Sequence, residues 1–352
     1  MKKLIGTSVQ KRTIPFVFVL FVVFSYLPVR ATSDRGSIDK VSQQNSKVLG
    51  AKKINPTTVE VLFSDNQRMT FDFYGENIFR IFQDNSGGII RDPEAKPDAK
   101  ILVDNPRKPL AGLSVSDETD FVSISTGKVR IQLDKNSSLL KVFNLGTNTL
   151  VLEEFKPVLI EKGKVIVTLK EGLNEYFYGG GVQNGRFSHK GKAIAIENQN
   201  SWTDGGVASP NPFYWSTNGY AVMWHTFKKG KYDFGAKDKG IVQLHHDADY
   251  LDLFLMVNDG AVPLLNDFYQ LTGNPVLMPK FGFYQGHLNA YNRDYWKEDE
   301  TGTLFADGTR YKESQKDNGG IKESLNGEKA NYQFSARAVI DRYKNHDRPL
   351  GC

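Results

Sequence analysis

From residue 48 to about residue 258 the hydrophobic positions recur at every second residue. Thr58-Val-Glu-Val-Leu-Phe63, Met69-Thr-Phe-Asp-Phe73, Ile78-Phe-Arg-Ile-Phe82, Phe121-Val-Ser-Ile-Ser125, Lys128-Val-Arg-Ile-Gln-Leu133 and Val165-Ile-Val-Thr-Leu169 all alternate in this way. Period two is the signature of a strand with one face buried. The intervening segments carry Asn-Pro, Gly-Gly, Asp-Asn and Asn-Ser pairs, which favour turns, and almost no segment keeps helical spacing over three turns. A run of short strands joined by turns predicts an antiparallel β-sandwich over residues 48–258, so the fold is mainly β.

The pattern changes near Asp259. Val262, Leu265, Phe268, Tyr269 and Leu271 fall at helical spacing, and Gly273 with Pro275 and Pro279 ends the run, which predicts a linker helix within residues 259–278. An apolar run over residues 281–288 then reads as a fully buried strand. Residues 293–332 are rich in Lys, Glu, Asp and Gly and read as an inserted surface loop. Residues 335–346 read as a helix, with Ser335 as N-cap and Ala338, Val339, Arg342 and Tyr343 at spacings that keep one face apolar. A strand, a helix and the start of a second strand at Pro349-Leu350-Gly351 are the first unit of an α/β barrel over residues 279–352. A closed (β/α)8 barrel takes roughly 250 residues, and 73 follow Pro279. The expectation is therefore a sandwich followed by the truncated start of a barrel.

The N-terminus stands outside this folded pattern. Lys2, Lys3, Lys11 and Arg12 precede an apolar run over residues 16–27 that leads to Val29-Arg30-Ala31. These are the three parts of a signal peptide spanning residues 1–31, and the apolar run is too short for a bilayer. The alternative is an uncleaved anchor; the signal reading implies an exported protein, periplasmic or secreted, with no stable membrane anchor. Residues 32–47 are polar and poor in aromatics, as in a flexible leader. The formal charge of +5 also changes meaning: five basic and no acidic residues lie in the signal, which leaves 45 − 5 = 40 basic against 40 acidic. A balanced surface gives no electrostatic footprint for nucleic acid. The only cysteine is Cys352, so the chain forms no intramolecular disulfide.

Candidate chemistry concentrates in residues 176–220. Gly179 to Gly181 and Gly205-Gly206 allow sharp turns and close backbone approach. Trp202, Tyr214 and Trp215 supply flat apolar faces beside Gln183, Asn184, Arg186 and Asp204. A sugar ring needs both, since its C–H faces lie on aromatic rings and its hydroxyls take paired donors and acceptors. A Gly-rich hairpin whose aromatics are core fits the same residue types. Asp204 sits on a glycine-flanked loop, where it either accepts from two sugar hydroxyls or caps its own loop as an Asx turn. Gln285, His287, Asn289 and Tyr291 follow the presumed first barrel strand at its C-terminal end, where a barrel builds its active site; without a closed barrel they are surface. His245-His246-Asp247-Ala-Asp249 carries metal-ligand types, but a polar turn before the strand over 251–257 accounts for it better. No metal or cofactor is expected. Glycoside hydrolysis needs two carboxylic acids across the scissile bond, and no acidic residue after Pro279 ends an apolar strand, so no catalytic pair is assigned.

These residues resemble the N-terminal portion of glycoside hydrolase family 31, the α-glucosidase and α-xylosidase family. The resemblance rests on Phe177-Tyr-Gly-Gly-Gly181, the Trp202-Thr-Asp204 loop, Asn211-Pro-Phe-Tyr-Trp-Ser-Thr-Asn-Gly-Tyr220, Tyr269-Gln-Leu-Thr-Gly-Asn-Pro275 and Phe281-Gly-Phe-Tyr-Gln285. It covers about residue 48 to the end, and Gln183-Asn-Gly-Arg-Phe-Ser-His189 is similar to bacterial members acting on α-1,6-linked or alternating glucans. The resemblance implies a galactose-mutarotase-like β-sandwich packed on a (β/α)8 barrel, with a sandwich loop reaching the sugar, and Asp204 best matches that contact. It implies a retaining mechanism with two aspartates on later barrel strands. Where members often carry an Arg after the first barrel strand, this chain has His287 and Asn289. The implied partner is an α-glucan or α-linked oligosaccharide, with Trp202, Asp204, Gln285, His287 and Asn289 as substrate-binding candidates. Cys352 stands where an aromatic leading into the second strand is expected, as at the end of a truncated gene model. The competing readings are a non-catalytic carbohydrate-binding module using the Trp202 to Trp215 surface, and an aldose epimerase, which needs a facing His and Glu.

Overall fold

The computed structural model describes residues 46–104, 107–201, 203–280, 295–314, 319–322 and 332–348. The first ten strands are β1 (Val48–Asn55), β2 (Thr58–Phe63), β3 (Arg68–Phe73), β4 (Ile78–Asp84), β5 (Ser114–Asp117), β6 (Phe121–Ser125), β7 (Val129–Asp134), β8 (Leu140–Asn144), β9 (Thr149–Glu161) and β10 (Lys164–Lys170). Seven more follow: β11 (Phe177–Gln183), β12 (Lys192–Ile196), β13 (Val207–Ser216), β14 (Tyr220–Trp224), β15 (Gly230–Phe234), β16 (Ile241–His246) and β17 (Tyr250–Val257). They form the expected antiparallel sandwich. One sheet runs β1-β2-β3-β4-β17-β14-β13-β11 and the other β12-β15-β16-β10-β9-β8-β7-β6-β5.

Alternation decides which side chains fill the space between the sheets. Val59, Val61 and Phe63 on β2, Phe71 and Phe73 on β3, and Ile131 and Leu133 on β7 enter one core, because successive side chains of a strand face opposite ways. In β4 and β17 both faces are buried, and both read as nearly continuous apolar runs. Their outward residues Ile78, Phe254 and Met256 join Phe213, Met223, Leu264 and Leu271 in a second cluster.

Leu264 and Leu271 belong to α1 (Ala261–Thr272), which ends at Gly273, whose N–H donates to Tyr269 O at 2.8 Å. The buried face of this helix is Leu264, Asp267 and Leu271, while Val262 is 68% exposed. The helix is not a free spacer. Asp267 accepts from Asn77 Nδ2 at 2.7 Å and from Asn258 Nδ2 at 3.1 Å, tying it to the sandwich. No helix among the described residues is long and apolar enough to cross a membrane.

The barrel strand expected over 281–288 lies outside the described residues. The expected inserted loop over 293–332 is corrected in its described part: β18 (Tyr295–Leu304), β19 (Arg310–Ser314) and β20 (Ile321–Lys322) form a three-stranded sheet in the order β19-β18-β20. Its charged residues hide a small aromatic core in which Trp296, Phe305 and Tyr311 meet Phe334, with Tyr311 and Phe334 rings 4.9 Å apart. Aromatics scattered among Lys and Glu give little period-two signal, which is why composition alone read as loop. The last described helix, α2 (Ala336–Asn345), has Ser335 as N-cap, its side chain accepting from Ala338 N–H, as expected.

Candidate functional site

The chain crosses from the eight-stranded to the nine-stranded sheet between β11 and β12, and returns between β12 and β13. The glycine-rich stretch builds both crossings. Gly181 on β11 has φ +79°, and a Cβ there would collide with Ser209 O on β13. Only glycine permits the close pairing of these two strands, whose register shifts between Gly179 and Gly181. His189 and Gln183 clamp the strand from the side. His189 Nε2 lies 2.8 Å from Gly179 O. Burial holds this imidazole below its usual range, so it is neutral and donates from Nε2. Gln183 Nε2 donates to Gly180 O at 2.9 Å and Ala195 O at 3.0 Å.

The second crossing carries Asp204. Residues 203–206 make a turn in which Gly206 N–H donates to Thr203 O at 2.9 Å and Gly205 takes φ +78°. This is the geometry of a type II turn, with glycine required at its third position. The neighbouring strand segment holds it: Asn184 N–H donates to Gly206 O at 3.0 Å, Gly205 N–H to Asn184 O at 2.9 Å, and Asn184 Nδ2 to Ser201 O at 2.6 Å. Asp204 lies over Gly185, where an added Cβ would stand 2.6 Å from its Oδ1. The carboxylate is exposed and has no hydrogen bond or ion pair among the described residues. The Asx-turn alternative is therefore corrected, because the backbone and not the Asp204 side chain closes the turn.

Around this turn the predicted residues separate into two groups. Tyr214 is fully buried in the core, beside Phe177, Tyr220 and Phe234. Trp215 is half-buried and stacks on Tyr178, with centroids 4.5 Å apart and an angle of 21°. Phe187 meets Tyr178 edge-on at 5.8 Å and is 90% exposed. Sequence reading missed Phe187 as a contact, although it sits inside the 183–189 segment. Arg186 donates Nη1 to Ala193 O at 2.6 Å. With Glu197, Gln199, Lys231, His245 and Gly205 it lines an open groove of about 460 Å³. Trp202, Gln285, His287 and Asn289 lie outside the described residues.

The metal alternative at His245-His246 is not realised by the geometry. The two imidazoles alternate on β16, so they face opposite ways. His246 is buried, with Nε2 2.9 Å from Tyr232 Oη and Nδ1 2.9 Å from Lys228 O, and burial pushes its pKa down to about 4. His245 stays near the surface, 3.3 Å from Asp247. The buried carboxylates carry structural bonds: Glu175 accepts from Ser216 Oγ, and Asp72 accepts from Thr58 Oγ1 at 2.8 Å.

Comparison with known proteins follows the same lines. The profile of the glycosyl hydrolase 31 N-terminal galactose mutarotase-like domain matches residues 68–233. Alpha-xylosidase XylQ of Lactiplantibacillus pentosus is 25% identical over 222 residues, covering 61% of this chain and 28% of that protein. An alpha-xylosidase of Emericella nidulans is 26% identical over 144 residues, covering 41% of this chain and 18% of that protein. The chain thus spans under a third of the length of these relatives. Among solved structures, the Flavobacterium johnsoniae GH31 dextranase complexed with isomaltotriose superposes with a TM-score of 0.58 at 18% identity, over 68% of this chain and 29% of that one. At that identity the likeness speaks for the fold.

Proposed function

We propose, from the premise that residues 68–233 belong to the N-terminal domain of glycoside hydrolase family 31, that this chain serves the hydrolysis or transfer of α-glucosyl or α-xylosyl residues. Its own contribution is to hold the Asp204 turn against the sugar. The observation that carries this reading is the exposed carboxylate, unpaired among the described residues, on a turn whose backbone is fixed by two hydrogen bonds to Asn184, with a third from Asn184 to Ser201 just before it. An acceptor with no partner among the described residues is available for two adjacent hydroxyls, and a rigid turn loses little entropy on binding. The α-xylosidases among the relatives support the substrate class.

The reaction in this family type is retaining and uses two carboxylates about 5 Å apart. In this reading the described residues supply the sugar contact and not that pair. Three of the described acidic residues after Pro279 support this. Asp299 accepts from Thr301 N–H and Asp307 from Thr309 N–H in the turns of the small sheet, and Asp341 bonds the Tyr332 hydroxyl. Residues 1–31 direct export in this reading, as their charged, apolar and small-residue parts indicate. The experiment is twofold. The purified chain is assayed with aryl α-glucoside and α-xyloside, with no turnover expected; measurable turnover sinks the claim that the pair is missing. In a heteronuclear amide spectrum, isomaltotriose is expected to shift the Asp204, Gly205 and Gly206 resonances, and an unmoved turn refutes the contact.

A second reading, a non-catalytic carbohydrate-binding module, is favoured by the exposed Phe187 beside the Tyr178–Trp215 stack. It predicts saturable glucan binding that Phe187→Ala abolishes.

A further inference from the structure

The outer face of the eight-stranded sheet holds a cluster that the Asp204 reading does not use. Arg80 on β4 and Asp252 on β17 are the polar interruptions of two apolar strands, and their register places them on one face. Arg80 Nε donates to Asp252 Oδ1 at 2.7 Å and Nη2 to Oδ2 at 2.6 Å, a bidentate pair that is wholly buried. His225, just beyond β14, completes it with Nδ1 2.9 Å from Asp252 Oδ2.

The hydrogen count fixes which way the His225–Asp252 bond runs. Arg80 Nη2 has two hydrogens; one goes to Asp252 and the other to Arg91 O at 2.8 Å. None remains for His225 Nδ1, although the two nitrogens lie 3.2 Å apart. Nδ1 therefore carries a proton and donates to Asp252, which leaves Nε2 as the ring nitrogen that a ligand can reach. The imidazole is 2% exposed, and its Nε2 has no hydrogen-bond partner among the described residues.

What lies in front of it is a cavity. His225, Tyr74, Asp92, Lys100, Asp104, Arg107 and Phe227 line about 240 Å³, and Asp92 and Phe227 also wall an adjoining groove of about 800 Å³. Among its described lining residues the charges balance, with Lys100 and Arg107 against Asp92 and Asp104, so neither an anion nor a cation is favoured. Donors, acceptors and one apolar surface converge there. Phe227, two residues beyond His225 and 42% exposed, supplies the apolar surface.

We propose that this cavity binds a neutral, polyhydroxylated ligand, a sugar unit, with one hydroxyl hydrogen-bonded to His225 Nε2 and a C–H face against Phe227. Asp252 orients the His225 ring and Arg80 holds Asp252 in place. The adjoining groove accommodates further units of an oligosaccharide. None of these residues belongs to the Asp204 turn, so the inference does not rest on that reading.

The test uses the full chain. Glucose and isomaltotriose are titrated by saturation-transfer NMR, and the side-chain 15N resonance of His225 is followed. Binding is expected with a shift of the Nε2 signal; His225→Gln is expected to weaken it about tenfold, the value of one hydrogen bond, and Phe227→Ala to weaken it by removing the apolar face. Asp204→Ala is expected to leave it unchanged. The proposal is overturned if neutral sugars do not bind, if inorganic phosphate or glucuronate binds in their place, or if His225 stays silent. It is also overturned if Asp204→Ala abolishes binding while His225→Gln does not, an outcome that upholds the Asp204 reading. Should His225→Gln fail to fold, Phe227→Ala at its exposed position and the wild-type 15N signal decide.

Discussion

Glu154 offers a sharp test of how the sandwich core treats a charge. It projects from β9 at an irregular pairing with β10, where Leu169 faces Glu154 and Thr168 faces Lys156, so its carboxyl enters the space between the sheets. It is 7% exposed, and its one compensating bond is from Leu140 N–H to Oε2 at 2.9 Å. The surrounding cavity of about 20 Å³ is otherwise walled by apolar side chains such as Met69, Leu152 and Val222. Burial pushes the pKa up from the usual 4.5 to about 8. The folded state therefore binds this proton more tightly than the unfolded chain. Its stabilising share is complete below pH 4.5, is lost progressively as pH rises towards 8, and changes no further above that. At 1.36 kcal/mol per unit the loss amounts to about 5 kcal/mol in all, and to about 3 kcal/mol by pH 7. Glu154→Gln keeps an oxygen for Leu140 N–H and cannot titrate. Urea unfolding of both proteins at intervals from pH 4.5 to 8.5 gives the check. The variant should gain on the wild type by about 5 kcal/mol across that range, with roughly one proton released on wild-type unfolding near pH 6.5. Parallel stability curves would show that the carboxyl ionises in the fold, and would refute the reasoning.

His246 works in the opposite direction. Burial lowers its pKa to about 4, so its share of stability is present above pH 6.5 and is lost as pH falls towards 4, about 3 kcal/mol in all. His246→Asn, measured in the same unfolding series, should flatten this acid limb; an unchanged limb would show that the imidazole is already charged in the fold. Gly181→Ala puts a Cβ into Ser209 O at positive φ, and should cost more than about 1 kcal/mol in chemical unfolding, whereas a neutral result would mean that β11 and β13 are not tightly paired. Asp204→Ala, removing a side chain without partners among the described residues, should change stability by no more than about 0.5 kcal/mol. A larger loss in the same assay would reveal a structural bond and remove the case for a ligand contact.

What the linear chain made legible was local. Period two over Thr58–Phe63 and Phe121–Ser125 matches the strands residue for residue, because a pleat imposes its alternation on neighbours in sequence. The turn that presents Asp204 was legible for the same reason, since Gly205-Gly206 states a conformational requirement met within four residues. The Asp204 turn could be named but not described, because the bonds that hold it come from Asn184, about twenty positions upstream.

The rest needed the tertiary fold. Tyr214 and Trp215 are adjacent in sequence and alike in chemistry, yet one is core and the other half-exposed, since β13 turns them to opposite faces of a sheet whose second side only the outer cluster reveals. The aromatics of the charged segment find one another only when β18 and β19 pair. Arg80, His225 and Asp252 are separated by up to 172 positions and carry no motif; strand order β4-β17-β14 makes them neighbours. Sequence by itself determined which segments extend, where they turn and which family they resemble. Only the packed sheets decided which polar side chains are buried together, because burial and partnership depend on long-range register, and it is burial that gives Glu154, His246 and His225 their chemistry.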